Sequence, residues 1–275
     1  MIFTFNKFGR LGNRLFLFSH LIALSEQFKV PLYNLAFSEY RGSFSYFEND
    51  KYCTYGLPNG GEMRMVARAR LLGKLGIIPT VKFWDDEDIV FDADEIADRR
   101  IRVLVESPMV VFEGWRLRSH KRLGQIKDKI REVFRPNELI TSQVSKRMDE
   151  IGGMGEVKVG VHIRWEDFRD TDQFFPLEIF LARMDEIEIL LSPRKVVFFI
   201  SSPEKLEASS LPKNAILYRD SSPVCDMYTL AACDYLIGPP STFSGWASYY
   251  GEKPIFTMRS NQKISDLSTC EIWQG

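Results

Sequence analysis

Histidine is scarce, with three in 275 residues, and the four cysteines, Cys53, Cys225, Cys233 and Cys270, form no Cys-x-x-Cys pair. Zinc modules group such ligands at short spacings, so this pattern argues against a structural zinc site and for reduced, partly buried thiols. No run of about 18 apolar residues occurs. The opening stretch MIFTFNKFGRLGNRLF has no uninterrupted apolar core ending in small residues. The expectation is a cytoplasmic chain with no transmembrane segment. Net charge is also lacking: 36 Lys and Arg against 37 Asp and Glu leave −1, so no global field favours nucleic acid or an anionic membrane. Internal repeats, low-complexity segments, a G-x-G-x-x-G fingerprint and a P-loop are all absent.

What is present is ordinary globular material, 45% apolar and 27% charged, outside the composition of disorder. A chain of this length can bury one or two cores, and the pattern along it favours two. Ile2, Phe3 and Phe5 alternate as in a strand, a turn follows over Lys7 to Asn13, and Leu15, Phe18, Ile22 and Phe28 recur at helical spacing. With Val30 to Leu35 as the next strand, the first unit reads as βαβ. Ser38 to Gly61 reads as irregular, Glu62 to Leu75 as a basic helix, and Val81 to Trp84, Ile101 to Val105 and Val110 to Glu113 as strands. One long basic helix is expected over Ser119 to Phe134, and an amphipathic one over Asn137 to Ile151, stopped by Gly152 and Gly153.

From Val157 onward strands and helices alternate. Strands are expected at Val157 to Ile163, Val196 to Ser201, Ile216 to Tyr218, Tyr235 to Ile237 and Pro254 to Thr257. Helices are expected at Leu177 to Leu191, Asp226 to Ala232 and Phe243 to Tyr250. Such alternation implies a parallel sheet covered by helices, and its ligands belong at the carboxyl ends of the strands. The boundary falls between Arg135 and Gly155, giving an expected first domain of residues 1–140 and a second of 141–275.

Three strand-to-helix loops carry the chemistry. In Lys7-Phe8-Gly9-Arg10-Leu11-Gly12-Asn13-Arg14 two glycines permit a sharp turn and leave Arg10 and Asn13 at a helix N-terminus, where anions are favoured; a plain turn capped by Asn13 fits equally. In the second, His162 and Arg164 point to one face because side chains alternate along a strand. Arginine grips two phosphate oxygens at once and holds its charge at any working pH, and the rival reading is an Arg164–Asp167 ion pair with a core histidine. The third, Gly238-Pro239-Pro240-Ser241-Thr242-Phe243-Ser244-Gly245-Trp246, gathers hydroxyls and backbone amides at a helix start, either as a phosphate site or as a simple N-cap.

Taken together and in order, G-R-L-G-N, H-I-R-x-x-D-F and S-T-F-S-x-W resemble the α-1,2-fucosyltransferases of glycosyltransferase family 11. Phe112-Glu113-Gly114-Trp115 and Asp226-Met227-Tyr228 resemble two further motifs of that family, so the resemblance runs from Phe5 to Tyr250. It implies an α/β GT-B fold, two Rossmann-like domains facing across a cleft, and an inverting transferase that needs no metal. The second domain would bind GDP-fucose and the first would take a glycan acceptor. The resemblance assigns Arg164 to the diphosphate and His162, Asp226 and Tyr228 to the nucleotide sugar. Ser241, Thr242, Phe243 and Ser244 would surround the phosphates, with Arg10 and Asn13 contributed by the first domain. Trp165 and Glu166 stand where the family has arginine and glycine, Ser201-Ser202-Pro203 where it has S-D-D, and Gly245 where it has tryptophan, so another GDP- or UDP-sugar stays open as donor. For a base on the acceptor hydroxyl the candidates are Asp167 and Glu113.

Two other classes fit part of the chain. A metal-dependent GT-A transferase would use the acidic stretch with Asp86 and Asp88, or Asp92-Ala93-Asp94, to hold a divalent ion against a diphosphate. A non-catalytic nucleotide- or glycan-binding module would account for the altered positions Trp165, Ser202 and Gly245.

Overall fold

The computed structural model describes residues 1–56, 62–83, 89–91, 94–219, 221–259 and 262–275, apart from the side chains of Glu62, Phe83, Ile89 and Asp167. The chain forms two compact units, Met1–Asn137 and Glu138–Gly275. The acidic stretch 84–88 and residues 92–93 lie outside the described residues.

In the first unit β1 (Ile2–Thr4) leads into α1 (Leu11–Phe28) and β2 (Leu32–Asn34), the expected βαβ start. Then come β3 (Thr54–Tyr55), α2 (Glu62–Lys74), β4 (Thr80–Phe83), β5 (Ile89–Val90), α3 (Glu95–Glu106), β6 (Val110–Gly114) and β7 (Leu117–Arg118). The unit closes with α4 (His120–Gln125) and α5 (Lys127–Val133). The sheet order is β3-β2-β1-β6-β4, with β5 and β7 paired separately. Only β3 is antiparallel in the larger sheet. Strand order reverses at the β1–β6 pair, the place where such sheets open a crevice at their carboxyl ends. Phe18, Phe37, Phe44, Phe47 and Phe134 are all fully buried and pack as a cluster of rings.

Two expectations fail here. Residues 101–105 form part of helix α3, not a strand. Asp94 caps that helix by accepting from Ala97 N at 2.8 Å, and Ile101 and Val105, one turn apart, are its buried stripe, so a cap and an i,i+4 pair override β-branched propensity. The long basic helix is in fact two, α4 and α5, broken at Ile126.

The second unit runs α6 (Glu138–Gly152), β8 (Val157–His162), α7 (Leu177–Leu191), β9 (Val196–Ser201), β10 (Ala215–Leu217), α8 (Pro223–Ala232), β11 (Tyr235–Gly238), α9 (Thr242–Gly251) and β12 (Ile255–Thr257). Its order is β10-β9-β8-β11-β12, parallel throughout. Every residue of β9 is buried and β8 is nearly so, as a sheet covered on both faces requires. Val159, Val161, Phe198, Ile200 and Ile237 form the core with Phe180, Met184 and Ile187 of α7. The chain builds outward through β8, β9 and β10 and returns to β11 and β12 on the other side. The reversal therefore falls between β8 and β11.

The four cysteines are buried and unbridged. Burial pushes Cys53 and Cys233 up to about 12 and Cys270 up to about 11, so these thiols stay protonated and are poor nucleophiles.

Candidate functional site

The loops after β8 and β11, the two strands at the reversal of the second sheet, bring together the residues that the sequence reading singled out there. Tyr235, Leu236 and Ile237 pair with Val159, Gly160 and Val161, so His162 and Gly238 end up side by side. A Cβ on Gly238 would come within 3.3 Å of His162 Cβ and 3.1 Å of Ser244 Oγ. Glycine is what permits this approach.

His162 is buried, its ring lies 4.8 Å from that of Phe243, and its Nδ1 has no hydrogen-bond partner. Burial, and then the Arg164 charge, push its imidazole down to about 3. It is thus a neutral hydrogen-bonding group at physiological pH, not a cation for phosphate. Arg164 stands half-buried over the Phe168 ring, 4.9 Å from its centre, and Nη1 donates to Ser241 Oγ across 3.4 Å. The Asp167 side chain lies outside the described residues.

Ser241 caps α9: its hydroxyl accepts from Phe243 N at 3.3 Å. The buried Ser244 hydroxyl faces back to the loop carbonyls of Pro239 and Ser241 at 3.4 and 3.3 Å, and Thr242 is half-buried at the first helical position. A helix start capped by serine beside an arginine is a place where an anion is stabilised by charge and by the aligned backbone dipoles.

A cavity of about 520 Å³ opens at the ends of β9 and β10, lined by Ser202, Glu204, Leu217, Tyr218, Ser221 and Asp226 among others. Asp226 Oδ1 accepts from Arg147 Nη1 at 2.8 Å, and Arg147 also donates to Ser221 Oγ at 2.7 Å and stacks over Tyr218 at 4.3 Å. Burial raises the Asp226 carboxyl, opposed by its bonds to Ser221 and Arg147. Arg147 and Tyr218 escaped the sequence reading, since their partners are remote in sequence. Tyr228 takes a different place: it is buried in the packing of α8 on α9, edge-on to Tyr250 at 4.7 Å.

Glu204 Oε1 accepts from the amides of both Trp165 and Glu166 at 2.9 Å. A Cβ on Gly245 would meet the Trp273 ring at 2.7 Å, so the indole of Trp273 occupies the space beside this glycine.

In the first unit α1 begins at Leu11, with Arg10 as an N-cap whose side chain makes no capping bond. Asn13 is therefore inside the first turn, not the cap. Gly9 adopts φ +65°, and a Cβ there would strike Asn13 Nδ2 at 2.3 Å. Arg14, which the sequence reading passed over, pins this loop: its Nε donates to Gly9 O at 3.1 Å, and its Nη1 pairs with Glu39, which Lys7 also holds at 2.5 Å. Arg10 is exposed. Glu113, the penultimate residue of β6, accepts from Asn6 Nδ2 at 2.7 Å.

Among the described residues no group of three or more His, Cys, Asp or Glu side chains is placed to hold a metal ion, and no described helix is long and apolar enough to cross a membrane. The stretch with Asp86 and Asp88 is outside that description.

Two Rossmann-like α/β units in one chain are the GT-B class of glycosyltransferase fold. Solved structures bear this out. A mutant of Arabidopsis thaliana FUT1 in complex with GDP superposes with a TM-score of 0.58 at 13% identity, covering 98% of this chain and 73% of that one. NodZ alpha-1,6-fucosyltransferase soaked with GDP-fucose gives 0.57 at 17% identity, over 98% and 96%. POFUT1 in complex with GDP gives 0.54 at 12% identity, over 94% and 96%. The chain thus shares the fold of fucosyltransferases. No protein-family model and no curated protein matches the sequence.

Proposed function

We propose that the chain is a glycosyltransferase that moves L-fucose from GDP-fucose to a glycan hydroxyl, with the α-1,2 linkage, inversion and metal independence of family 11. One observation carries this reading: Arg164, His162 and the Ser241 cap of α9 meet at the reversal point of a parallel sheet, where a diphosphate gains most from fixed donors. The proteins that share the fold were solved with GDP or GDP-fucose, which supports the same donor here.

In the transfer step the bond between the sugar's anomeric carbon and the diphosphate breaks, the acceptor oxygen attacks from the opposite face, and its proton passes to a base. Positive charge grows on the ring and negative charge on the leaving phosphate. Arg164 and the start of α9 oppose the latter, in the manner of an oxyanion hole. Ser241, Thr242, Phe243 and Ser244 line the phosphate side. The cavity with Asp226 takes the nucleoside, and neutral His162 offers it a hydrogen bond. Tyr228 supports α8 from behind. Arg10 and Asn13 serve transfer from the first unit, and Asp167 or Glu113 is the base.

Calorimetric titration with GDP, UDP and CDP, followed by assay of GDP release from GDP-fucose with and without EDTA, tests the reading. Binding of GDP and release that persists in EDTA support it. Preference for UDP redirects the donor, release that stops in EDTA favours a metal-dependent transferase, and GDP binding without turnover of any nucleotide sugar favours a binding module.

A further inference from the structure

The first unit has its own cavity, about 780 Å³, where its sheet reverses. Phe5 and Asn6 follow β1, Glu113 is the penultimate residue of β6, Thr80 and Lys82 belong to β4, and Arg70 and Lys74 reach it from α2. Three cations thus face one carboxylate, and Glu113 is already bonded to Asn6 at 2.7 Å. Arg70 is held over the Phe5 ring at 5.2 Å, a contact that orders the guanidinium before any ligand arrives. Thr80 Oγ1 is buried without a hydrogen-bond partner.

The imbalance extends to the whole unit. Residues 1–137 carry 22 Lys and Arg against 17 Asp and Glu, a net of +5 that includes the acidic run 85–88; residues 138–275 carry 14 against 20, a net of −6, and the two make up the chain's −1. The near-neutral total hides two units of opposite sign. A sheet presents ligands at the carboxyl ends of its reversal strands, and here that place is basic and polar. Neutral sugars need no such field; a sugar bearing a carboxylate or a sulfate ester does.

We propose that this cavity is the acceptor site and that the acceptor is an anionic glycan, its charge met by Arg70, Lys74 and Lys82 and its hydroxyl presented toward Glu113. The proposal deepens the transferase reading and rests on it for the word acceptor. Glycan recognition itself is tested separately from the donor.

Calorimetry on the full chain uses three probes: a trisaccharide of hexuronic acid, its carboxyl-reduced neutral counterpart, and that neutral trisaccharide carrying sulfate esters. Near 50 mM salt we expect an anionic probe to bind about tenfold more tightly than the neutral one, and the gap to narrow at about 500 mM, as screening dictates. Which anionic probe binds identifies the source of the charge. Arg70→Gln combined with Lys74→Gln should abolish the preference and leave GDP affinity unchanged, which also shows that the variant is folded. Equal binding of the neutral probe, no binding of either anionic one, or a preference that survives the double substitution overturns the proposal. Loss of GDP binding by the wild type, in contrast, overturns the donor reading alone.

Discussion

One oxygen of Glu204 accepts the backbone amides of Trp165 and Glu166 together, at 2.9 Å each, so a carboxylate from the loop after β9 fixes the turn that carries Arg164.

Removing that oxygen frees the turn. Glu204→Ala leaves two amides without their acceptor, of which the half-buried Trp165 amide is costly at about 1–3 kcal/mol and the exposed Glu166 side is open to water. Glu204→Gln keeps an amide oxygen in place and should restore most of the loss. If the turn presents Arg164 to a diphosphate, GDP affinity falls about three- to tenfold in the alanine variant, a fraction of what losing a charged donor outright costs, and recovers in glutamine. A melting temperature that drops while GDP affinity holds would leave Glu204 a structural tie only.

The Glu204 tie also marks the limit of what a sequence shows. The second unit was legible because strands such as Val196–Ser201 are apolar on both faces and end at turn residues, and the helix at Leu177–Leu191 was found to the residue. The loops after β8 and β11 were legible as chemistry because Arg164 and Ser241 sit where α/β sheets present ligands. The partners were not, because Arg147 and Asp226 are 79 residues apart, and their meeting is decided by how α6 packs. Ile101 to Val105 misled for a local reason: β-branched residues outweighed the Asp94 cap in the reading but not in the fold. The Gly9 loop was legible as a turn, whereas Arg14 as its clamp depends on Glu39, brought near by the fold.

Arg164→Ala should lower turnover by about two to three orders of magnitude, the range for one charged donor aimed at developing negative charge. Arg164→Lys should recover only part, since an ammonium cannot copy the guanidinium fork or its stacking on Phe168. Initial rates at saturating donor decide this; an alanine variant within about threefold of wild type, far inside that range, removes Arg164 from the diphosphate.

Two of the three histidines should stay neutral at pH 5. Burial, with the charges of Arg118 and His120, holds His20 well below the usual imidazole range, and its Nδ1 accepts from Ser119 N at 3.0 Å, which puts the proton on Nε2. His162 is pushed down to about 3 by burial and Arg164. With folded values below the unfolded 6.5, the unfolded chain binds more protons, so stability rises with pH in that window. The histidine contribution is complete above about pH 6.5 and declines as pH falls toward 3. Nitrogen–proton correlation spectra across pH 4 to 7 would show two imidazoles that do not titrate; normal titration of His162 would contradict its burial.

The last prediction separates a turn from a working loop. Gly9 holds φ +65° with Asn13 packed on it, so Gly9→Ala forces a side chain into the left-handed region and against the Asn13 amide, and should destabilise the first unit by about 1–3 kcal/mol. That outcome is expected whatever the loop does. Arg10→Ala is informative, because Arg10 is an exposed residue, a class of position where substitution usually changes stability by no more than about 0.5 kcal/mol. If Arg10 serves transfer, its alanine variant loses turnover while binding GDP like wild type, since the proposed nucleotide contacts all belong to the second unit. Asn13→Ala should show the same split with a small stability loss added, because its side chain also covers Gly9. Rates per folded molecule that match wild type in both variants would make the loop a turn and nothing more, and the residues that act on the acceptor would then be sought at Glu113 and the cavity beside it.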